Sequence, residues 1–215
     1  TRMGYAELAV AAQVGVARLK VARRPRVAIL STGDEVTDVA GTPGKFQIRN
    51  SNSISLAAQV ALGGGEPVML GNAPDDAAAI QTKIERGLAE DILVLSGGVS
   101  VGKHDLVEPV LRDLGAEFFF DAVAMRPGRP AVFGWCRGKP VFGLPGNPVS
   151  TMVTFELFVL PCIELLAGHL PDALPFFKAT LRHAVDEKPG IAHFLPARVE
   201  WLAGEIGRAS WRERV

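Results

Sequence analysis

The sequence predicts an α/β domain built on a mostly parallel sheet with helices on both faces. Between Val27 and Ala167, short apolar runs alternate with longer segments of helical period, as βαβ units do. The runs are apolar nearly throughout, the pattern of strands buried on both sides. Three of them end in loops rich in Gly and Ser.

Ahead of this core, Tyr5 to Val14 predicts a small apolar helix and Val16 to Ala22 a strand-like run, both assigned to a preceding module that ends near residue 24. Val27-Ala28-Ile29-Leu30-Ser31 is the first core strand. Ser53 to Leu62 is a helix stopped by Gly63-Gly64-Gly65. Pro67 to Gly71 is the next strand. Asp75 and Asp76 stand where an N-cap belongs, before a helix through Ala89 with Ile80, Ile84 and Leu88 on one face. Ile92 to Ser96 is a third strand, Glu108 to Leu114 a helix closed by Gly115, and Glu117 to Asp121 a strand whose Phe118, Phe119 and Phe120 face both layers. Ala131 to Trp135 and Val141 to Leu144 form a hairpin about Arg137-Gly138-Lys139, so antiparallel strands flank the parallel core. Val149 to Leu170 is interrupted by Glu156, Pro161 and Glu164, too much for a bilayer span of about 20 apolar residues; a buried helix is expected. Phe177 to Ala184 and His193 to Trp201 are strands of a partial β unit over 171–203. From Gly207 no periodicity continues, and 204–215 is expected to be disordered or foreign to the native protein.

The 23 basic residues cancel the 23 acidic ones, leaving no chain-wide field to hold nucleic acid or an anionic membrane. A bound anion needs a local site. Cys136 and Cys162 stand apart, which excludes a disulfide scaffold and a paired-cysteine zinc site and suits a reducing cytoplasm. The opening at Thr1, without initiator Met or signal sequence, reads as a fragment.

Ligands of open α/β sheets bind beyond the carboxyl ends of the strands. The loops Ser31-Thr32-Gly33-Asp34-Glu35, Ser96-Gly97-Gly98-Val99-Ser100-Val101-Gly102 and Gly143-Leu144-Pro145-Gly146-Asn147-Pro148-Val149-Ser150 should therefore converge on one crevice. Glycines let backbone approach a ligand, and helix N-termini favour anions. Gly97 to Lys103 also fits G-x-x-x-x-G-K, but His104 replaces the hydroxyl residue that a P-loop needs for magnesium, and Pro109 falls in the second turn of its helix. The histidines 104, 169, 183 and 193 have no metal-ligand spacing.

These loops, together with Asn50-Ser51-Asn52, Asp105 and Arg126-Pro127-Gly128-Arg129-Pro130, resemble in order the molybdopterin molybdenumtransferase family, which includes the gephyrin E domain. The resemblance is strong from Tyr5 to Leu170 and loose from Phe177 to Trp201. It implies a molybdopterin-binding α/β domain over 25–170, of the type shared with molybdopterin adenylyltransferases. The implied reaction takes adenylylated molybdopterin and molybdate to molybdenum cofactor and AMP, with magnesium assisting, in a homodimer.

By that resemblance, Asp105, Glu35 and Asp75 are the catalytic acids, with Asp105 and Glu35 also holding the metal. Asp75 has capping as its structural alternative, and Asp34 reads as a turn residue. Thr32, Gly33, Ser51, Asn52, Ser96, Gly97, Gly98, Ser100 and Gly102 line the pterin and adenylate site. Arg126, Arg129, Ser150 and the segment Pro145, Gly146, Pro148 hold molybdate, a dianion suited to fixed cations and neutral donors. The family more often has lysine where Arg129 stands. Two other readings remain open: an adenylyltransferase or a nucleotide amidohydrolase on the same fold, and a pterin-binding or scaffolding module without turnover.

Overall fold

In a computed structural model, described over residues 3–98, 106–170, 179–182, 184–187, 189–202 and 205–211, one six-stranded sheet forms the centre of the protein. Its strands are β1 (Arg26–Thr32), β2 (Glu66–Ala73), β3 (Ile92–Ser96), β4 (Glu117–Phe120), β5 (Val132–Cys136) and β6 (Lys139–Leu144), in the spatial order β2-β1-β3-β6-β5-β4. The first four in that order are parallel neighbours; β5 and β4 are antiparallel, as the hairpin reading requires.

The period of two along β1 sends side chains to two separate cores. Ala28 and Leu30 join Leu93, Leu95 and Val141 beneath helices α3 (Ala77–Gly87) and α4 (Val107–Asp113). Val27 and Ile29 join Ile92, Val94, Phe142 and Leu144 beneath α2 (Ser51–Leu62) and the long helix α5 (Pro148–Leu166). Three layers result, and the central strands are buried on both faces. Helix α5 is long and apolar enough, by length and composition, to cross a membrane, but Phe155, Val159 and Ile163 are fully buried against the sheet. Pro161 does not break it, because a π-turn over Phe155–Val159 widens the helix just ahead of the proline ring.

Three local expectations change. Val16 to Ala22 is not a strand, since among the described residues no ladder partner adjoins it; only the helix Tyr5–Gln13, here α1, forms in that region, with no buried residue. The run from Gly207 is not unstructured where it is described: Glu205–Trp211 is a strand, antiparallel to Ala197–Leu202 and parallel to Thr180–Leu181. Backbone pairing rather than apolar period creates it. Finally, Phe119 is 59% exposed, because an irregularity between Phe118 and Phe120 turns it outward; Phe118 and Phe120 pack on opposite faces.

Charged residues gather at the end of the sheet where the parallel strands begin. Asp91 accepts the Arg26 backbone N–H at 2.8 Å, pairs with the Arg23 guanidinium and lies 3.9 Å from Lys139 Nζ. The Arg23 hydrogen bond, above all, holds its carboxyl at about 2, against an ordinary 3.8. A depressed carboxyl stabilises the fold fully above its unfolded value and loses that contribution as pH falls towards the folded one. Asp91→Asn is therefore expected to cost about 1 kcal/mol at neutral pH. Urea midpoints of the two proteins should converge as pH drops from about 4 to 2; a constant gap across that range would contradict the assignment.

Candidate functional site

A cleft opens at the opposite end, where β1, β3 and β6 finish. Its wall combines Ser31, Thr32 and Glu35 from the first loop, Asn50 to Asn52 from the start of α2, Ser96 and Gly97 from the second loop, and Gly146 and Pro148 from the third. One side chain ties three of these pieces together. The Asn52 amide donates from Nδ2 to Ser96 Oγ at 2.9 Å and to the Gly146 carbonyl at 2.8 Å. Beneath it, the Ser31 hydroxyl lies 2.7 Å from Ser53 Oγ and 3.1 Å from Asn50 Oδ1, while Asn50 also caps α2 by accepting the Ser53 N–H. Asn147 caps α5 by accepting the N–H groups of Val149 and Ser150. Two capped helix starts thus face one cleft, and their partial positive charge suits an anion.

Glycine is required in the second loop. Gly97 has φ +88°, and a Cβ there would stand 2.9 Å from the Thr32 carbonyl oxygen; at Gly98, φ +62°, it would meet Thr32 Oγ1 at 2.6 Å. The loop therefore lies directly on Thr32. That threonine is 2% exposed, yet its Oγ1 has no hydrogen-bond partner among the described residues, and neither has Asn52 Oδ1. Buried polar atoms are normally paired, so two unpaired ones in one cleft are groups a ligand could complete. Glu35 is the acid and Arg49 the cation among the lining residues.

The structure brings Thr32, Glu35, Ser51, Asn52, Ser96, Gly97, Gly146 and Pro148 to the cleft, with Gly33 and Gly98 in the loops that carry them. Ser150 lies in the first turn of α5, buried, its N–H held by Asn147. Asp75 does not line the cleft. It is exposed, its backbone N–H donates to Asp34 Oδ1 at 3.1 Å, and the neighbouring Asp76 is the residue that caps α3. Asp34 thus has the structural role its position suggested. Arg126 and Arg129 are exposed on a separate turn with a cis Arg126-Pro127 bond. That turn packs on α5 next to Thr154, whose hydroxyl donates to the Ser150 carbonyl one helical turn away. The short strand Met125–Arg126 also pairs with Ala192–His193, which docks the C-terminal segment there. Ser100, Gly102 and Asp105 lie outside the described residues.

Sequence reading missed Arg49, Val36 and Ile48, all of which line the cleft. They reach it because the two-residue strands Val36–Thr37 and Ile48–Arg49 pair across the intervening loop. Nothing in their local pattern announces that pairing; the only clue is that Arg49 adjoins the Asn50-Ser51-Asn52 motif. Helix α4 begins at Val107, while Lys103 and His104 lie outside the described residues. Among the described residues no cluster of three metal-ligating side chains occurs, and His193 sits 3.3 Å from Glu187.

An α/β sheet with small-residue loops and helix starts converging on its carboxyl edge defines a class of anion- and cofactor-binding domain. Residues 28–165 match the family described as "Probable molybdopterin binding domain", and the chain belongs to that family. Its sequence relatives are narrower in kind. A molybdopterin molybdenumtransferase of Nostoc sp. is 40% identical over 187 residues, covering 85% of this chain and 43% of that protein. Molybdopterin molybdenumtransferase 2 of Mycobacterium tuberculosis is 38% identical over 211 residues, covering 94% and 51%. The crystal structure of a molybdopterin biosynthesis moea protein from Pyrococcus horikosii superposes with a TM-score of 0.84 at 32% identity, over 100% of this chain and 51% of that one. The chain spans about half the length of the relatives it matches.

The contact between Gly97 and Thr32 yields a test. Gly97→Ala is expected to lower unfolding free energy by about 1–3 kcal/mol, because a left-handed residue with a backbone clash cannot relax without moving the loop. Chemical denaturation measures it, and a loss below a few tenths of a kcal/mol would mean the loop is not held as described.

Proposed function

We propose that this chain is the pterin-binding and catalytic part of a molybdopterin molybdenumtransferase, taking adenylylated molybdopterin and molybdate to molybdenum cofactor and AMP. Residues 25–170 form the binding domain, 171–203 part of a C-terminal β domain, and residues 1–24 the end of a preceding module. The observation that carries the reading is the single cleft in which Thr32, Asn52 and Ser96 offer small polar groups between two helix starts. Such a site matches a ligand with a phosphate-linked polar heterocycle better than a purely apolar one.

The cleft residues divide by chemistry. The α2 start and the Thr32 hydroxyl hold the phosphates, and Asn52 orients the heterocycle through its free Oδ1. Magnesium fits the donor set, since it is commonly held by one or two carboxylates plus substrate phosphates, and Glu35 is a carboxylate on the cleft wall. Bound there with Asp105, it would offset charge on the pyrophosphate as the adenylate leaves. Molybdate is assigned to the first turn of α5 and its preceding loop, with Arg126 and Arg129 supplying positive charge from the neighbouring turn. Ser150 at the α5 start and the packing of that turn on Thr154 support the assignment. Two free cysteines, Cys136 buried and Cys162 half-buried, are consistent with a cytoplasmic enzyme. Homodimerisation follows from the family reading and is checked by sedimentation of the full-length protein.

The decisive experiment follows AMP release from adenylylated molybdopterin by the full-length protein, with and without molybdate and magnesium. Molybdate-dependent release is expected. Asp105→Asn and Glu35→Gln should each reduce it about 100-fold or more while the fold persists. Pterin binding without release would leave a binding module, and ATP-dependent adenylylation would instead indicate the adenylyltransferase reaction.

A further inference from the structure

The strand β2 is irregular at one place, and the irregularity aims a side chain at the turn after β1. Its register against β1 runs Met69 opposite Ile29 and then Gly71 opposite Leu30, so Leu70 is an extra residue in a β-bulge. Gly71 takes φ +75° there, and the Leu70 carbonyl accepts from Lys83 Nζ at 2.7 Å. The bulge changes which way the rest of the strand faces. Leu70 and Ala73, three residues apart, both enter the core under α3 and α4, an arrangement that a regular strand with period two cannot give. Without the bulge, Asn72 would share the face of Leu70 in that apolar core. With it, the Asn72 side chain leaves the core and meets the turn after β1.

Its Nδ2 donates to the Gly33 carbonyl at 2.8 Å and to the Val36 carbonyl at 3.0 Å, bridging both ends of the turn that carries Glu35. Both partners can only accept, so the orientation of the amide is fixed; a flipped amide would face three oxygens together. The same orientation leaves Asn72 Oδ1 buried and unpartnered among the described residues. An apolar residue at this position would avoid that cost.

We propose that Asn72 is a positioning residue, held by the Leu70–Gly71 bulge, that fixes the Gly33–Val36 turn and thereby places the Glu35 carboxylate on the cleft wall. The proposal rests on the reading of Glu35 as a participant in the reaction. The Glu35 carboxylate lies back over Gly33, within 2.4–2.7 Å of where a Cβ on that glycine would stand, so turn conformation and carboxylate position are coupled. The turn has further ties, from the Ala73 carbonyl to the Gly33 N–H and from the Glu35 carbonyl to the Ile48 N–H. Loss of Asn72 therefore loosens the turn without dissolving it.

Asn72→Asp keeps the shape but removes both donors, and Asn72→Ser serves as a second variant if the first fails to fold. In the full-length protein, amide hydrogen exchange at Val36, whose N–H donates to the Gly33 carbonyl, is expected to quicken at least about 10-fold. The rate constant of AMP release should fall about 10-fold or more, the scale of lost outer-shell support, while KM for adenylylated molybdopterin stays within about 2-fold. Exchange at the wild-type rate, or full turnover where Glu35→Gln has lost it, overturns the proposal. Should Glu35→Gln itself turn over normally, the role of Glu35 fails separately; exchange at the turn then decides alone whether Asn72 positions it.

Discussion

The burial of both faces of the three central parallel strands, β1, β3 and β6, is the constraint from which the cleft follows. A parallel strand cannot return by a tight turn, so each chain segment must leave the carboxyl edge, cross a helix and re-enter at the far edge. All the loops after β1, β3 and β6 are thereby delivered to one edge, whatever their sequences. What their sequences decide is how closely they approach one another. Gly97 allows the second loop to lie on Thr32, and Asn52 draws the second and third loops to the start of α2 through two hydrogen bonds. The fold supplies convergence, and these few residues supply the spacing.

That division explains what could be read from the sequence. The boundaries of β3 and the cap at Asp76 depend on neighbours a few positions away, and local patterns carry them, whereas the caps at Asn50 and Asn147 were not read. The cleft itself was legible because its loops follow the apolar strands directly. Arg49 and Asn72 were not, for a common reason. Arg49 reaches the cleft through a two-residue pairing with Val36–Thr37, and Asn72 reaches the turn after β1 through one extra residue in β2; each depends on register between distant segments. Register flips or preserves an entire face without changing composition. The same logic accounts for two outer segments of the chain: Val16 to Ala22 has strand-like content but no partner among the described residues, whereas Glu205–Trp211 has little apolar period but two pairing strands.

The two edges of the sheet are also electrostatically different. Arg23, Arg26, Glu66, Glu90, Asp91 and Lys139 form a neutralised network at the edge where the parallel strands start. At the carboxyl edge the cleft wall has, among the described residues, one acid and one cation, Glu35 and Arg49, beside hydroxyls, amides, glycines and the apolar Val36, Ile48 and Pro148. Exposed ion pairs of the first kind contribute modestly to stability and are screened by salt. Neutral donors and helix starts are fixed by the fold and need no counter-charge, so they can be left partly unsatisfied at a cost the buried sheet can absorb.

Thr32 Oγ1 and Asn52 Oδ1, unpaired among the described residues, then have a physical meaning beyond their location. A site built from cations would attract any anion, whereas one built from neutral donors discriminates by geometry, because an imperfectly placed ligand leaves buried polar atoms unpaired. The ordering of the loops matters for the same reason. Thr32 is held beneath Gly97 and Gly98, and Asn52 is held by the two bonds it donates, so their free oxygens have little room to turn towards a ligand that does not fit. The balance of 23 basic and 23 acidic residues agrees with this: without a chain-wide field, an anion depends on local groups for its binding.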